Sequence, residues 1–450
     1  MPWQFLSATP GTLWPALPVY SACASLALLQ QLETSERAST DRFAKEQRRQ
    51  LDVLLRHAWD SVPYYRQAWA GRYDPAVPMS RERFLALPLL GRSVLRERYE
   101  TLKTRALPRE HGQPVETRTS GSTGAPVRIM ATDVTRLFWE AITLRDHLWH
   151  RRNLLGKLAV IRRGVTPGTA PSWGKATAGV VQTGEASMLD VDMDVGRQLD
   201  WLERQAPAYL LTYPSLAAQL ARESLARGRR LDGLLEVRTL GESMSDEVRE
   251  WCRVVWGAPV VDTYSAEEVG YIALQCPDHE HYHVMAESVL VEVLDERGAA
   301  CTPGQTGRVV ITDLHNFATP LVRYDIGDYA EVGESCACGR TLPVLRRILG
   351  RVRNVLIAAD GRRYWPAFGS RALSEIAAIR QHQLVQKSHH LVEVRLVVEA
   401  PLTVAEEERL RRHVLSRLPE GFELQIIYRD HIPRGAGGKF EEFVSEIASA

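Results

Sequence analysis

The sequence predicts an α/β fold: a large N-terminal domain with doubly wound, mostly parallel sheets plus a β-rich subdomain, and a small mobile α+β C-terminal domain. Three observations carry this reading. Between residues 157 and 268, short apolar runs alternate with helical patterns, as in a largely parallel sheet. From 284 to 330 the texture changes to short strands separated by Gly/Pro turns. Past Gly350, strand and helix patterns fill roughly 100 residues, the size of a separate small domain. The expected division is 1–349, with the β-rich subdomain at about 284–345, and 350–450. A chain of 450 residues, at roughly 150 per domain, allows two or three such units.

Composition excludes several classes. The apolar fraction of 45% and charged fraction of 25% are those of a globular protein. A net charge of +1 argues against nucleic acid or an acidic membrane surface as partner. No run reaches the roughly 18–20 apolar residues that span a bilayer. Leu17 to Leu29 is the nearest; it is too short and lacks a basic start, so neither a span nor a signal peptide is expected. Six cysteines in a chain this long do not form a secreted disulfide framework, and a cytosolic enzyme is expected. Lysine is scarce beside arginine, so a lysine in a suggestive context carries weight.

In chain order, residues 20–75 read as helical, with Leu51, Leu54, Leu55 and Ala58 near a 3.6 period and Val62-Pro63-Tyr64-Tyr65 closing the run. Pro114 to Arg118 reads as a short strand and Val134 to His150 as a long helix carrying Phe138, Trp139 and Trp149. Lys157 to Arg162 is a buried strand, and Gly164 to Gly174 a mobile loop. Tyr209 to Ser215 is a strand entering a helix. Val237 to Leu240 ends on Gly241-Glu242-Ser243, before a helix to about Trp256. Val260 to Tyr264 ends in Ser265-Ala266-Glu267-Glu268. Val284 to Asp295, Gly307 to Thr312 and Pro320 to Tyr324 read as strands. So do Asn354 to Ile357, Leu391 to Val398 and Phe422 to Tyr428, with a hairpin turn at Asp360-Gly361 and helices from about Phe368 and over Ala405 to Leu418.

The stretch Thr119-Ser120-Gly121-Ser122-Thr123-Gly124-Ala125-Pro126 interleaves glycines with hydroxyl residues. Successive N–H groups in such a turn form an anion-binding nest, and the hydroxyls add donors. It lacks the Lys-Ser/Thr ending of a Walker loop. A flexible surface linker is the plain alternative. In doubly wound sheets ligands bind beyond the carboxyl ends of the strands, where the segments at 119–124, 241–243 and 264–268 are expected. Arg323 to Asp328 adds a basic residue and two acids around a glycine turn. Gly350-Arg351-Val352-Arg353-Asn354 stands at the texture boundary, and Pro433-Arg434-Gly-Ala-Gly-Gly438-Lys439-Phe440 near the end.

In this order and spacing the set resembles the adenylate-forming (ANL) superfamily, and within it the phenylacetate–CoA ligase (CapK-like) branch, whose members share the segment that is His57 to Arg66 here. The resemblance implies a carboxylate attacking the α-phosphate of ATP to give acyl-AMP and pyrophosphate, then transfer to coenzyme A. It implies Ser120, Gly121, Ser122, Thr123 and Gly124 at the β- and γ-phosphates, and Tyr264 stacked on adenine with Gly241, Glu242 and Ser243 around the base. Glu268 would hold Mg2+, Asp328 the ribose, Arg351 would match the Gly-Arg motif, and Lys439 would bridge carboxylate and α-phosphate. Two positions depart from the pattern: Val127 stands where a lysine is common, and Arg353-Asn354 where an acid follows Gly-Arg-x. A carboxylic acid and coenzyme A are the expected partners, with Trp139 and Trp173 hinting at a flat aromatic acid and a homodimer as frequent among look-alikes. An amine acceptor, or a nucleotide-binding homologue without catalysis, are the rivals.

Cys336-Ala-Cys338 and Cys276-Pro-Asp-His279-Glu-His281-Tyr-His283 could together close a tetrahedral zinc site. By the same resemblance Cys276, His283, Cys336 and Cys338 are the favoured ligands of a structural Zn2+, with His279 and His281 competing. Cys23, Cys252 and Cys301 show no partner pattern.

Overall fold

The computed structural model describes residues 3–119, 126–351, 354–366, 368, 370–435 and 437–447. The N-terminal helices Tyr20–Ser35 and Thr40–Ser61 open the chain, the second capped by the Ser39 side chain accepting from the Arg42 amide. Leu51, Leu54, Leu55 and Ala58 fall on one stripe and are buried. Val62, extended, ends that helix as expected. Pro63 has no N–H to lose at a first helical position, and it starts a further helix, Pro63–Ala68. That turn aims Tyr65 at the loop before strand Tyr324–Val332: its hydroxyl donates to Pro320 O (2.8 Å) and accepts from Val322 N (3.0 Å).

A twelve-stranded sheet organises the large domain among the described residues. Its parallel part runs Ala186–Leu189, Leu158–Ile161, Tyr209–Thr212, Glu236–Leu240, Val260–Ala266. Successive side chains of a strand point to opposite faces. Val237 therefore packs with the helices Val195–Gln205, Pro214–Ala226 and Asp246–Trp256. Arg238 faces the other way and meets Asp146 of helix Asp133–Trp149 at 3.1 Å. Helices thus cover both faces, as a doubly wound sheet requires. Beyond Val260–Ala266 the sheet continues antiparallel through Gly270–Gln275, Tyr282–Val284, Val344–Arg351, Tyr324–Val332, Thr306–Asp313 and Val289–Leu294. The β-rich texture is this continuation.

Three local expectations change. Gly164 to Gly174 is not all loop: Gly168–Ala170 forms the opposite edge strand, antiparallel to Ala186–Leu189. Pro320 to Arg323 is not strand. The strand is Tyr324–Val332, so Gly327 (φ 82°) lies inside it rather than in a turn, close to a register shift. Met285 to Ser288 separates two strands rather than joining one.

The C-terminal part has its own four-stranded sheet, ordered Glu423–Tyr428, Leu391–Val398, Ile379–Gln386, Phe443–Ser445. Helices Ser370–Ile376 and Val404–Leu415 accompany it. Leu384, Val392, Val394, Leu396, Leu410 and Val414 are fully buried together in a core of their own. At about 1.5–3 kcal/mol per buried aliphatic side chain, that core ties this sheet to its helices. No helix among the described residues is long and apolar enough to cross a membrane.

Candidate active site

The carboxyl ends of three parallel strands meet the C-terminal segment here. Strand Tyr209–Thr212 delivers Tyr213, and strand Glu236–Leu240 delivers Gly241 and Glu242. Gly241 has φ 83°, and a Cβ there would lie 3.1 Å from Lys439 Cε and 3.4 Å from its Nζ. A glycine is needed at this point both for the backbone turn and for the close approach of the lysine. Tyr213 donates its hydroxyl to Gly437 O (3.4 Å), two residues before that lysine. Burial holds Lys439 below the ordinary lysine range, helped by the positive charge of Arg351, while Asp328, Glu267 and Glu242 pull it back up.

Strand pairing sets Asp328 opposite Arg351, and their side chains approach to 3.7 Å. Tyr264 donates its hydroxyl to Asp328 Oδ2 at 2.8 Å. Burial raises the Asp328 carboxyl, against the lowering pull of Arg351 and the Tyr264 bond. The Tyr264 ring is only 7% exposed, so most of its surface already serves packing. Glu268, at the hairpin after Val260–Ala266, accepts from Arg92 Nη1 (3.0 Å) and from the Tyr324 hydroxyl (3.2 Å), both on Oε1.

The geometry sorts the expected residues. Gly241 lies against Lys439, Tyr264 and Arg351 both meet Asp328, and the charges of Asp328, Glu242 and Arg351 act on Lys439, whereas Glu268 is held by Arg92 and Tyr324. Ser243 is exposed beside them. Glu242, expected beside the adenine, has both oxygens engaged elsewhere, by Ser215 N (2.9 Å) and Phe440 N (2.6 Å). Ser120, Gly121, Ser122, Thr123 and Gly124 lie outside the described residues, as does Arg353. The arms of that loop are the antiparallel pair Val115–Arg118 and Arg128–Ala131. Val127, where a lysine is common, is fully buried at the base of this hairpin. Arg323 is structural: it pairs with Glu292 and donates to Leu85 O (2.5 Å) and Leu87 O (2.6 Å).

Sequence reasoning missed Arg92, Arg434 and the carboxylate role of Glu242. Their partners lie 176 and 192 residues away, so spacing carries no signal. The expected aromatic walls also shift. Trp173 hydrogen-bonds Gly156 O and packs on Tyr209 and His147, at the strands' opposite end. Trp149 lies between Arg340 and His283 and bonds Glu36. Trp139 alone of the three stays 42% exposed, its ring stacked with Tyr271 at 6.2 Å.

The cysteine–histidine set converges because Tyr282–Val284 pairs with both Gly270–Gln275 and Val344–Arg351. Ligand atoms of Cys276, His283, Cys336 and Cys338 all lie within 4.8 Å of one another. Tetrahedral zinc with bonds of about 2.3 Å to sulfur requires S–S edges of about 3.8 Å. Cys276 and Cys336 stand 3.8 Å apart, far beyond a disulfide. Cys338 Sγ is 3.3 Å from His283 Nε2, and that histidine is fully buried. His279 Nδ1 lies 3.6 Å from both Cys276 and Cys336, in a second set with His281. Three thiols and an imidazole at these spacings fit a closed zinc site.

Residues 356–446 match the CapK C-terminal domain family. The phenylacetate-coenzyme A ligase of Thermus thermophilus is 27% identical over 448 residues, covering 91% of this chain and 97% of that protein. The enzyme of the same name from Pseudomonas putida is also 27% identical, covering 74% of this chain and 75% of that protein. Among solved structures, 2-hydroxyisobutyryl-CoA ligase in its postadenylation state with an acyl-AMP superposes with a TM-score of 0.72 at 21% identity, covering 92% of this chain and 91% of that one. The same ligase in its thioesterification state gives a TM-score of 0.60 at 22% identity over 91% of each chain. Residues 356–446 thus carry the CapK C-terminal domain, the chain is similar to phenylacetate-coenzyme A ligases over most of its length, and its fold is that of the acyl-CoA ligase structures.

Proposed function

We propose that the chain is an ATP-dependent acid–thiol ligase: it converts a carboxylic acid to acyl-AMP with release of pyrophosphate, then passes the acyl group to coenzyme A. The observation that carries this is Lys439 lying against Gly241, electrostatically coupled to Asp328 and Arg351, at the carboxyl end of the parallel strands. A carboxylate oxygen attacks the α-phosphorus and the pyrophosphate leaves. Because two anions must meet, alignment and charge cancellation dominate the barrier. Lys439 and Arg351 supply the positive charge, Asp328 accepts from the ribose hydroxyls with Tyr264 beneath it, and Ser120 to Gly124 hold the outer phosphates. Glu268, whose hydrogen bonds from Arg92 and Tyr324 among the described residues fall on Oε1, would offer Oε2 to Mg2+, which would neutralise phosphate charge when bound. The thiol sulfur then attacks the acyl carbonyl, and AMP departs.

Residues 350–450 act as the lid, turning between the two steps about the segment after Arg351. Asn354 supports that pivot: its Oδ1 accepts from Arg351 N (3.2 Å) and its Nδ2 donates to Phe443 O (2.6 Å). The acid is aromatic in this reading, supported by the Trp139–Tyr271 pair and by relatives named for phenylacetate. The test is a panel of aryl and aliphatic acids with ATP, Mg2+ and coenzyme A, with thioester, AMP and pyrophosphate measured together. Thioester and AMP in equal amounts support the proposal. ATP cleaved to ADP, or left intact with every acid, sinks it.

A further inference from the structure

Arg434 stands five residues before Lys439 in the same Gly-rich segment, and the chemistry above gives it nothing to do. Its guanidinium is nevertheless 13% exposed and the Glu242 carboxylate it meets only 6%. Nη1 reaches Glu242 Oε1 (3.5 Å), Ser215 Oγ (3.0 Å) and Gly438 O (3.3 Å), and Nη2 reaches Gln219 Oε1 (3.2 Å). Glu242 bridges two bodies of the fold. Its Oε2 takes the Ser215 amide in the first turn of helix Pro214–Ala226, where the helix dipole favours an anion. Its Oε1 takes the amide of Phe440, the residue after Lys439. Gly241, next to Glu242, is what the Lys439 side chain rests against. One carboxylate therefore fixes the backbone on one side of the lysine while its guanidinium partner fixes the other.

We propose that Glu242 and Arg434 are positioning residues: a latch that seats Lys439 for adenylation and must open before thioester formation. The inference rests on the ligase reading and deepens it. Arg434 and Phe440 travel with the lid, whereas Glu242, Ser215 and Gln219 stay behind. Turning the lid leaves a buried carboxylate with one amide instead of two amides and a cation. Stripping one partner from a buried charge is costly, so the lid is held in the lysine-in arrangement until other contacts replace these. Glutamine cannot substitute for Glu242, because each oxygen accepts a backbone N–H and an amide side chain has only one acceptor.

The experiment uses the full chain, with Arg434→Ala, Arg434→Lys and Glu242→Gln. The first half-reaction is read as phenylacetate-dependent exchange of pyrophosphate into ATP, the second as AMP release from synthetic phenylacetyl-adenylate and coenzyme A. Arg434→Ala and Glu242→Gln should cut the exchange rate by about a hundredfold, the cost of misplacing a group by an ångström. KM for ATP and the second half-reaction should stay within a few-fold, and Arg434→Lys should recover part of the loss. An equal fall in both half-reactions, or no fall in the first, overturns the latch. A substrate-free arm keeps the two readings separable: amide hydrogen exchange at Ser215 and Phe440 should quicken in Glu242→Gln. Unchanged protection at both amides overturns the latch by itself. Absence of exchange activity in the parent with every acid instead defeats the ligase reading.

Discussion

Replacing Gly241 by alanine isolates the contact at the heart of the site. The new Cβ would lie 3.1 Å from Lys439 Cε, 3.4 Å from Nζ and 3.7 Å from Tyr213 Cε1. The nearest of these atoms belongs to a flexible side chain, so the lysine yields by a few tenths of an ångström rather than the fold breaking. The backbone adds its own cost: φ is 83°, and an L-residue there loses about 1–2 kcal/mol. In a chain this long that lowers the thermal midpoint by about 1–2 °C. Displacing the ammonium should slow acid-dependent pyrophosphate exchange on the order of tenfold. Thioester formation from preformed acyl-AMP, which needs the lysine elsewhere, should change little. Stopped assays of each half-reaction beside a melting curve decide the matter. An exchange rate equal to the parent's, or equal losses in both steps, refutes the lysine's placement against residue 241.

Other outcomes follow from the same geometry. Asp328→Asn removes a charged acceptor held by Tyr264 and paired with Arg351, and should raise KM for ATP about tenfold, the weight of one charge-assisted bond. Because burial depresses Lys439 below its ordinary 10.5, kcat/KM for ATP should fall as pH rises through the depressed value, earlier than for an ordinary lysine. Over that window the unfolded lysine binds more protons, so this group's contribution to stability grows with pH, and the loss cannot be read as its unfolding. Elemental analysis should find one zinc per chain. Cys338→Ser and His283→Ala should lose metal affinity by more than the about 10–100-fold typical of a supporting residue. His279→Ala should retain the metal; its loss there would move the ligand set to the alternative group.

The parallel half of the fold was legible because buried strands such as Leu158–Ile161 and Tyr209–Thr212 are continuous apolar runs bounded by Gly, Pro or Tyr-Pro. The strands Gly270–Gln275, Val344–Arg351 and Ile379–Gln386, and helix Val195–Gln205, carry mixed polar patterns and went unread. Gly327 suggested a turn, since sequence alone cannot tell a left-handed glycine in a loop from one inside an irregular strand. Lys439 stood out because the chain so rarely uses lysine. Arg434 did not, being one arginine among many, and its partner is revealed only when the C-terminal segment packs on helix Pro214–Ala226. Trp173 misled for a related reason: a tryptophan beside a ligand cleft and one bracing a core look alike until strand direction is known.

The most direct measurement is to mix the protein with ATP, Mg2+ and an acid from the active panel, withhold coenzyme A, quench, and weigh what the protein holds. Close to one acyl-adenylate per active chain with matching pyrophosphate, sharply reduced in Lys439→Ala, is the expected result. An acyl phosphate with ADP, or a full yield of adenylate in the lysine variant, contradicts the account.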